Sequence, residues 1–260
     1  MVKSPSAAKA RATTLLLATS HAAAANTFKQ TNNRIFSNGK YKWELDADAM
    51  LALSTFPIKP KDLIQRAKEV IDNQVGVDKP DDLAEDFIFQ FPVVGPLTKD
   101  QYITAVSGFK LKDAFPDFNP GVHNFYVDPY EPNRVWYFTR FIATHSGDAP
   151  PPFGKATHKP VECPPQAVSL TFNEQGKVTL YTGGYVMDKL QGNSGGMGGI
   201  FGPLYAVGKG LPFPEAKPWS PSLRYRLFTF VGRLVSRLQR KKGTSHASRD
   251  VREPFLESKI

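Results

Sequence analysis

Between residues 60 and 190 the hydrophobic residues of this chain change their spacing three times, and few folds accommodate that order. Leu63, Ile64, Ala67, Val70 and Ile71 recur at the interval of one helical face, behind an Asp62/Gln65 pair that resembles a capping box. This helix is expected to end near Gly76, and a short one to follow from Asp78 to Glu85 with Pro80 in its first turn. Phe87, Phe89 and Phe91 then alternate with Ile88 and Gln90, the period of a strand with one aromatic face. Thr98 and Gln101 form a second capping box, ahead of a helix carrying Tyr102, Ile103, Val106 and Phe109 that ends before Pro116. From Val122 the spacing returns to two. Strands are expected at Val122–Val127, Val135–His145, Ala167–Phe172 and Val178–Asp188. The Asp128–Asn133 turn, a Pro/Gly loop over 147–165 and the Asn173–Lys177 hairpin separate them. A further short helix is expected at Asp46–Ser54. Helices followed by a run of strands point to an α+β fold, with helices on one face of an antiparallel sheet.

Composition places the rest of the chain. A hydrophobic content of 41% with 22 prolines suits one compact domain carrying irregular extensions. Cys163 is the sole cysteine, which excludes an intrachain disulfide and a cysteine-based metal site. His123, His145 and His158 lack the spacing of metal ligands, so no metal is expected. No cofactor is expected either. Gly192–Gly196 matches G-x-S-x-G but no helical sequence follows it, and Gly202–Lys209 is one residue too long for a phosphate loop, with Gly210 in the Ser/Thr position.

The net charge of +9 is unevenly spread. Residues 1–43 hold seven Lys/Arg and residues 216–249 hold nine, neither stretch holds an acid, and the remainder carries −7. A nucleic-acid-binding domain carries its basic patch on the fold, so nucleic acid is not an expected partner. Residues 1–25 are rich in Ala, Ser and Thr with Lys3, Lys9 and Arg11, the composition of an organellar transit peptide. A plastid is the expected location, with the mitochondrion as the alternative. Thr13–Ala18 followed by Ala22–Ala25 also reads as a secretory signal, and a bipartite leader would combine both readings. No apolar run reaches the 18 or so residues of a membrane-spanning helix.

The organisation expected is a basic leader over 1–43, an α+β domain over 45–190, a Gly/Pro-rich apolar extension over 191–219, a basic amphipathic helix over 220–242 and a disordered tail over 243–260. The extension, with Met197, Ile200, Phe201, Leu204, Val207 and Leu211, is apolar enough to wrap or plug the domain. In the helix, Leu223, Leu227, Phe230, Leu234 and Leu238 share one face, and seven Lys/Arg fill the remainder. It would lie on an anionic membrane surface, dock on an acidic protein partner, or pack on its own acidic domain.

Several strings carry a family resemblance: "LAEDFIFQFP" at Leu83–Pro92, "AFPDF" at Ala114–Phe118, "RVWYFTRFIATHSGD" at Arg134–Asp148 and "FNEQGKVTLYTGGYVMD" at Phe172–Asp188. In order and spacing they resemble the SnoaL-like polyketide cyclase family of the nuclear transport factor 2-like superfamily, over about half the chain. The resemblance implies a strongly curved, cone-shaped sheet wrapped around helices, holding a small hydrophobic ligand, and a possible homodimer. It implies isomerase, cyclase or lyase-type proton transfer, with a non-catalytic interaction module as the alternative. The family's acid/base carboxylate on the last strand aligns here with Gly184 and Tyr185, so Tyr185 replaces it.

Tyr185 and His145, at the end of its strand beside Gly147 and Asp148, are the catalytic candidates. Tyr181 shares the sequence parity of Tyr185 and is expected to line the same pocket, with Gln166 at the entry of the preceding strand. Tyr137 and Arg140, of opposite parity on their strand, are rival ligand contacts, and Asp86 is a rim acid.

Overall fold

The computed structural model of the protein describes residues 44–242. The leader and the tail expected over 243–260 lie outside the described residues. The chain divides into two units, one closing at Lys217 and the other beginning at Pro218.

The first unit is α+β. Its helices are α1 (Ala47–Ala52), α2 (Pro60–Asp72), α3 (Lys99–Phe109), α4 (Leu111–Ala114) and α5 (Phe201–Ala206). Its strands are β1 (Leu83–Gln90), β2 (Leu97–Thr98), β3 (His123–Val127), β4 (Arg134–Thr139), β5 (Ile142–Thr144), β6 (Pro160–Glu162), β7 (Gln166–Phe172) and β8 (Val178–Val186). Six strands form one curved sheet in the order β2-β1-β8-β7-β4-β3. Every pairing is antiparallel except β1 with β8, which run parallel, so the expected all-antiparallel sheet is a mixed one. The first strand enters between two helices, and the last reaches it from the far end of the meander.

Alternation decides what the sheet buries. Phe87 and Phe89, Val135 and Tyr137, and Val168, Leu170 and Phe172 point to one face, against Leu63, Ala67 and Val70 of α2 and Tyr102 of α3. Each fully buried Leu, Val or Phe contributes about 1.5–3 kcal/mol. This face is the main core. Gln101 accepts a hydrogen bond from the Thr98 backbone N–H at 3.0 Å, so α3 starts at its capping box.

The helix expected over Asp78–Glu85 is instead one 3₁₀ turn, Pro80–Asp82, and the strand begins at Leu83. The cause is Asp82, which is 1% exposed. It accepts from Arg66 at 2.7 Å and from Asn73 at 2.7 Å, while Arg66 Nε donates to the Gly176 carbonyl at 2.9 Å. One guanidinium therefore joins α2, the start of β1 and the β7–β8 hairpin. A helix through Asp82 would pull Leu83 and Ala84 out of the sheet, where both are buried.

The long strand expected over Val135–His145 is two. β4 ends at Thr139, and β5 pairs with β6 in a separate two-stranded sheet. Arg140 N–H donates to the Pro120 carbonyl at 2.9 Å, and the Phe141 carbonyl accepts from Cys163 N–H at 2.8 Å. The chain thus leaves the main sheet and drives Phe141 into a second core with Phe115, Phe153, Val161 and Cys163. Leu204 and Val207 of the Gly/Pro-rich extension complete that core, so the extension wraps this end of the unit.

The second unit contains α6 (Leu223–Lys242). No helix of the described residues is long and apolar enough to cross a membrane.

Candidate functional site

Three tyrosines meet on the buried face of the sheet. Tyr137 comes from β4, Tyr181 from β8 and Tyr102 from α3. Tyr181 stands 5.8 Å from Tyr102 between ring centroids, edge to face, and 5.4 Å from each of Phe89 and Phe91. Phe89 stacks on Phe91 at 4.4 Å, and Phe125 stacks on Tyr137 at 5.4 Å beneath the Lys68 ammonium. The rings fill the space between sheet and helices. Phe91, Phe125 and Tyr181 are the partly buried members.

The electrostatics follow from that setting. Burial pushes the Tyr181 phenol up to about 12, although a hydrogen bond from the Tyr137 hydroxyl counters it. Burial raises Tyr137 and Tyr102 well above the ordinary phenol range, helped in each by the neighbouring Tyr181. All three therefore stay protonated at neutral pH and act as neutral hydrogen-bond donors rather than bases. The buried carboxylate of this unit, Asp82, is not available to them. Burial alone would raise it, but the hydrogen bonds from Arg66 and Asn73 and the charges of Arg66 and Lys79 hold it below the usual range.

The structure separates Tyr185 from Tyr181. Ser169 pairs with Thr182 and Ala167 with Tyr185, so three residues of β8 span two of β7. The extra residue is a bulge at Gly183–Gly184, which flips the following side chain to the other face. Gly184 has a positive φ of +75°, and a Cβ there would lie 2.9 Å from the Phe91 ring. Tyr185 is accordingly 43% exposed, opposite Ala167 on the outer face. The shared-pocket placement expected from parity is thereby corrected.

His145 lies in the second core, packed against Phe115 and Phe153 at ring distances of 5.3 and 5.9 Å. Its Nδ1 accepts from the Thr157 backbone N–H at 3.2 Å, which places the proton on Nε2. Nε2 is buried without a hydrogen-bond partner. Burial, then the Lys209 charge, lowers its pKa against the opposing pull of Asp148. A neutral imidazole with its acceptor nitrogen occupied organises the 145–157 loop. A nearby shallow cleft of about 290 Å³ is walled by Asp148, Ala149, Pro150, Gly154 and Lys155. Its two charged groups neutralise each other at 2.6 Å.

Gln166 is buried on the inner face, and its Oε1 accepts from the Gly199 N–H at 2.9 Å. It anchors the segment after β8 across the sheet end. Arg140 and Asp86 are both exposed. Among the described residues no cluster of His, Cys, Asp or Glu could hold a metal ion.

Two features escape a reading by strand alternation. Tyr102 joins the site from a helix, and only its capping-box register places it inward. On the outer sheet face Arg134 donates to Ser169 at 2.9 Å and to Thr182 at 3.2 Å, and stacks over Trp136 at 4.6 Å. Ser169 and Thr182 are themselves 2.8 Å apart. This network keeps a buried polar row satisfied on the face away from the tyrosines.

The chain is similar in structure to SnoaL-like and nuclear transport factor 2-like proteins. One is a protein from Jannaschia sp. CCS1 named as a SnoaL-like polyketide cyclase, at 15% identity and a TM-score of 0.39 over 50% of this chain and 87% of that one. A phenazine biosynthesis-related protein from Pseudomonas aeruginosa matches at 14% identity and 0.37, over 62% and 97% of the two chains. A nuclear transport factor 2-like protein from Burkholderia thailandensis matches at 15% and 0.34, over 46% and 85%. No family model matches the chain, and no curated protein matches it. Similarity at this level says nothing about chemistry.

Proposed function

We propose that the first unit binds a small hydrophobic ligand bearing a carbonyl or hydroxyl oxygen, held by the hydroxyls of Tyr181, Tyr137 and Tyr102. The observation that carries this reading is the meeting of three protonated tyrosines inside a wall of Phe89, Phe91 and Phe125. Mostly apolar linings with a few convergent polar groups are what small-molecule sites use. The ligand enters beside Phe91 and Tyr181, two of the three partly buried rings, and displaces them outward. A buried phenol donating to a carbonyl oxygen also stabilises the enolate of an isomerase, cyclase or lyase-type proton transfer. The finer proposal is that the trio plays this electrophilic part.

Native mass spectrometry of the full chain tests the reading. The expected result is a retained small molecule released on denaturation, and its weakening by roughly fivefold or more in Tyr181→Phe, the loss of about one hydrogen bond. A clean unliganded mass, with no thermal shift from a panel of aromatic ketones and phenols, would leave the rings as a filled core and sink the proposal.

A plastid location is likewise proposed, from the acid-free, Ala/Ser/Thr-rich composition of residues 1–25. A fluorescent fusion to residues 1–43 that stayed in the cytosol would contradict it.

A further inference from the structure

The second unit presents a surface that the ligand-binding reading leaves unused. α6 runs for 20 residues from Leu223 to Lys242. At 100° per residue, Leu223, Leu227, Phe230, Val231 and Leu234 fall within one apolar arc, and Phe228 extends its edge. Arg226 and Arg233 fall together along one margin of that arc. No Asp or Glu occurs from 216 to 249. The apolar side chains are open to solvent: Leu223 is 81% exposed, Phe228 74% and Leu227 63%. Trp219, just before the helix, is 66% exposed and meets the Tyr225 ring edge to face.

We propose that α6 binds the surface of an anionic lipid bilayer, lying in the headgroup plane with its apolar arc in the acyl boundary. Charge complementarity identifies the occupant. The helix combines bulky apolar side chains with an unbroken positive margin, the pairing that an anionic interface satisfies on both counts. The helix is also too basic to cross a bilayer, so it lies on the surface rather than spanning it. Trp219 supplies an indole of the kind that settles at the lipid–water boundary. The effect is to hold the ligand-binding unit at a membrane, where hydrophobic ligands partition.

The test is co-sedimentation of the full chain with vesicles of phosphatidylcholine alone and of phosphatidylcholine mixed with phosphatidylglycerol, an anionic lipid. The residues before 44 are also basic, so the comparison among variants isolates the helix. Wild-type protein is expected to bind the anionic vesicles and not the neutral ones. Arg226→Gln with Arg233→Gln should weaken that binding by roughly 25-fold, about fivefold for each positive charge lost. Leu227→Asp with Phe230→Asp should weaken it comparably while every arginine remains. An unchanged melting temperature in both variants shows that the first unit is intact. Equal binding by wild type and the Leu227/Phe230 variant, or no binding to anionic vesicles at all, overturns the proposal; the second result turns attention to an acidic protein. Ligand retention by the first unit is read separately by native mass spectrometry, so failure of one proposal does not imply failure of the other.

Discussion

Two residues illustrate how burial turns polar side chains into structural or functional groups. Asp82 is buried and bonded by Arg66 and Asn73, so its removal strands a guanidinium that also holds Gly176. Asp82→Asn is expected to cost about 2–3 kcal/mol, less than a fully buried pair because Arg66 keeps some solvent contact, read as a lower urea midpoint at unchanged m-value. The carboxyl is held below its usual range in the folded state, so the stability it lends is present above the ordinary carboxylate pKa and disappears as pH falls below it. Tyr181 works in the opposite direction. Its folded pKa is about 12 against an ordinary value near 10, so the folded state keeps a proton that the unfolded chain gives up. Stability is complete below pH 10 or so and declines from there toward pH 12. In Tyr181→Phe the denaturation midpoint should fall less steeply over that interval. An equally steep fall would mean that Tyr181 ionises freely.

At the level of elements, β8 is divided by its bulge. Tyr181 faces the core and Tyr185 the solvent because Gly183 and Gly184 admit one extra residue and leave room for the Phe91 ring. Gly184→Val forces a β-branched side chain into a positive φ and against that ring, and should destabilise by about 2–4 kcal/mol. Thermal melts measure the loss, and quenching of the exposed Tyr185 by iodide would show whether the side chain has turned inward. Much of this level was legible beforehand. The Phe87–Phe89–Phe91 alternation marked β1, and the Thr98/Gln101 pair marked the start of α3 to the residue. Alternation failed at Arg140 and at Gly183–Gly184. There the ladder is interrupted by pairings with Pro120 and by a glycine conformation, neither of which has a period.

For the molecule as a whole, both hydrophobic cores are built from residues no later than Leu211. A chain ending at Lys217 is therefore expected to melt within a few degrees of the full chain and to retain the same ligand. A drop of more than about 10 °C, several times what a 1 kcal/mol change produces in a domain of this size, would show that α6 contributes to the fold. The expected consequence of the truncation lies elsewhere, in weaker binding to anionic vesicles than the full chain shows.

The spacing of apolar residues and the placement of charge determined the α+β class, the Thr98/Gln101 helix start, most strands and the acidic domain flanked by basic ends, because these depend on local period and composition. The spacing also singled out Tyr137 and Tyr181. Only the tertiary structure decided that these two meet Tyr102, that β1 runs parallel to β8, that Tyr185 faces away, and that His145 belongs to a different core. Each of those rests on contacts between residues far apart in the chain, and a one-residue bulge is enough to send every later side chain to the other face.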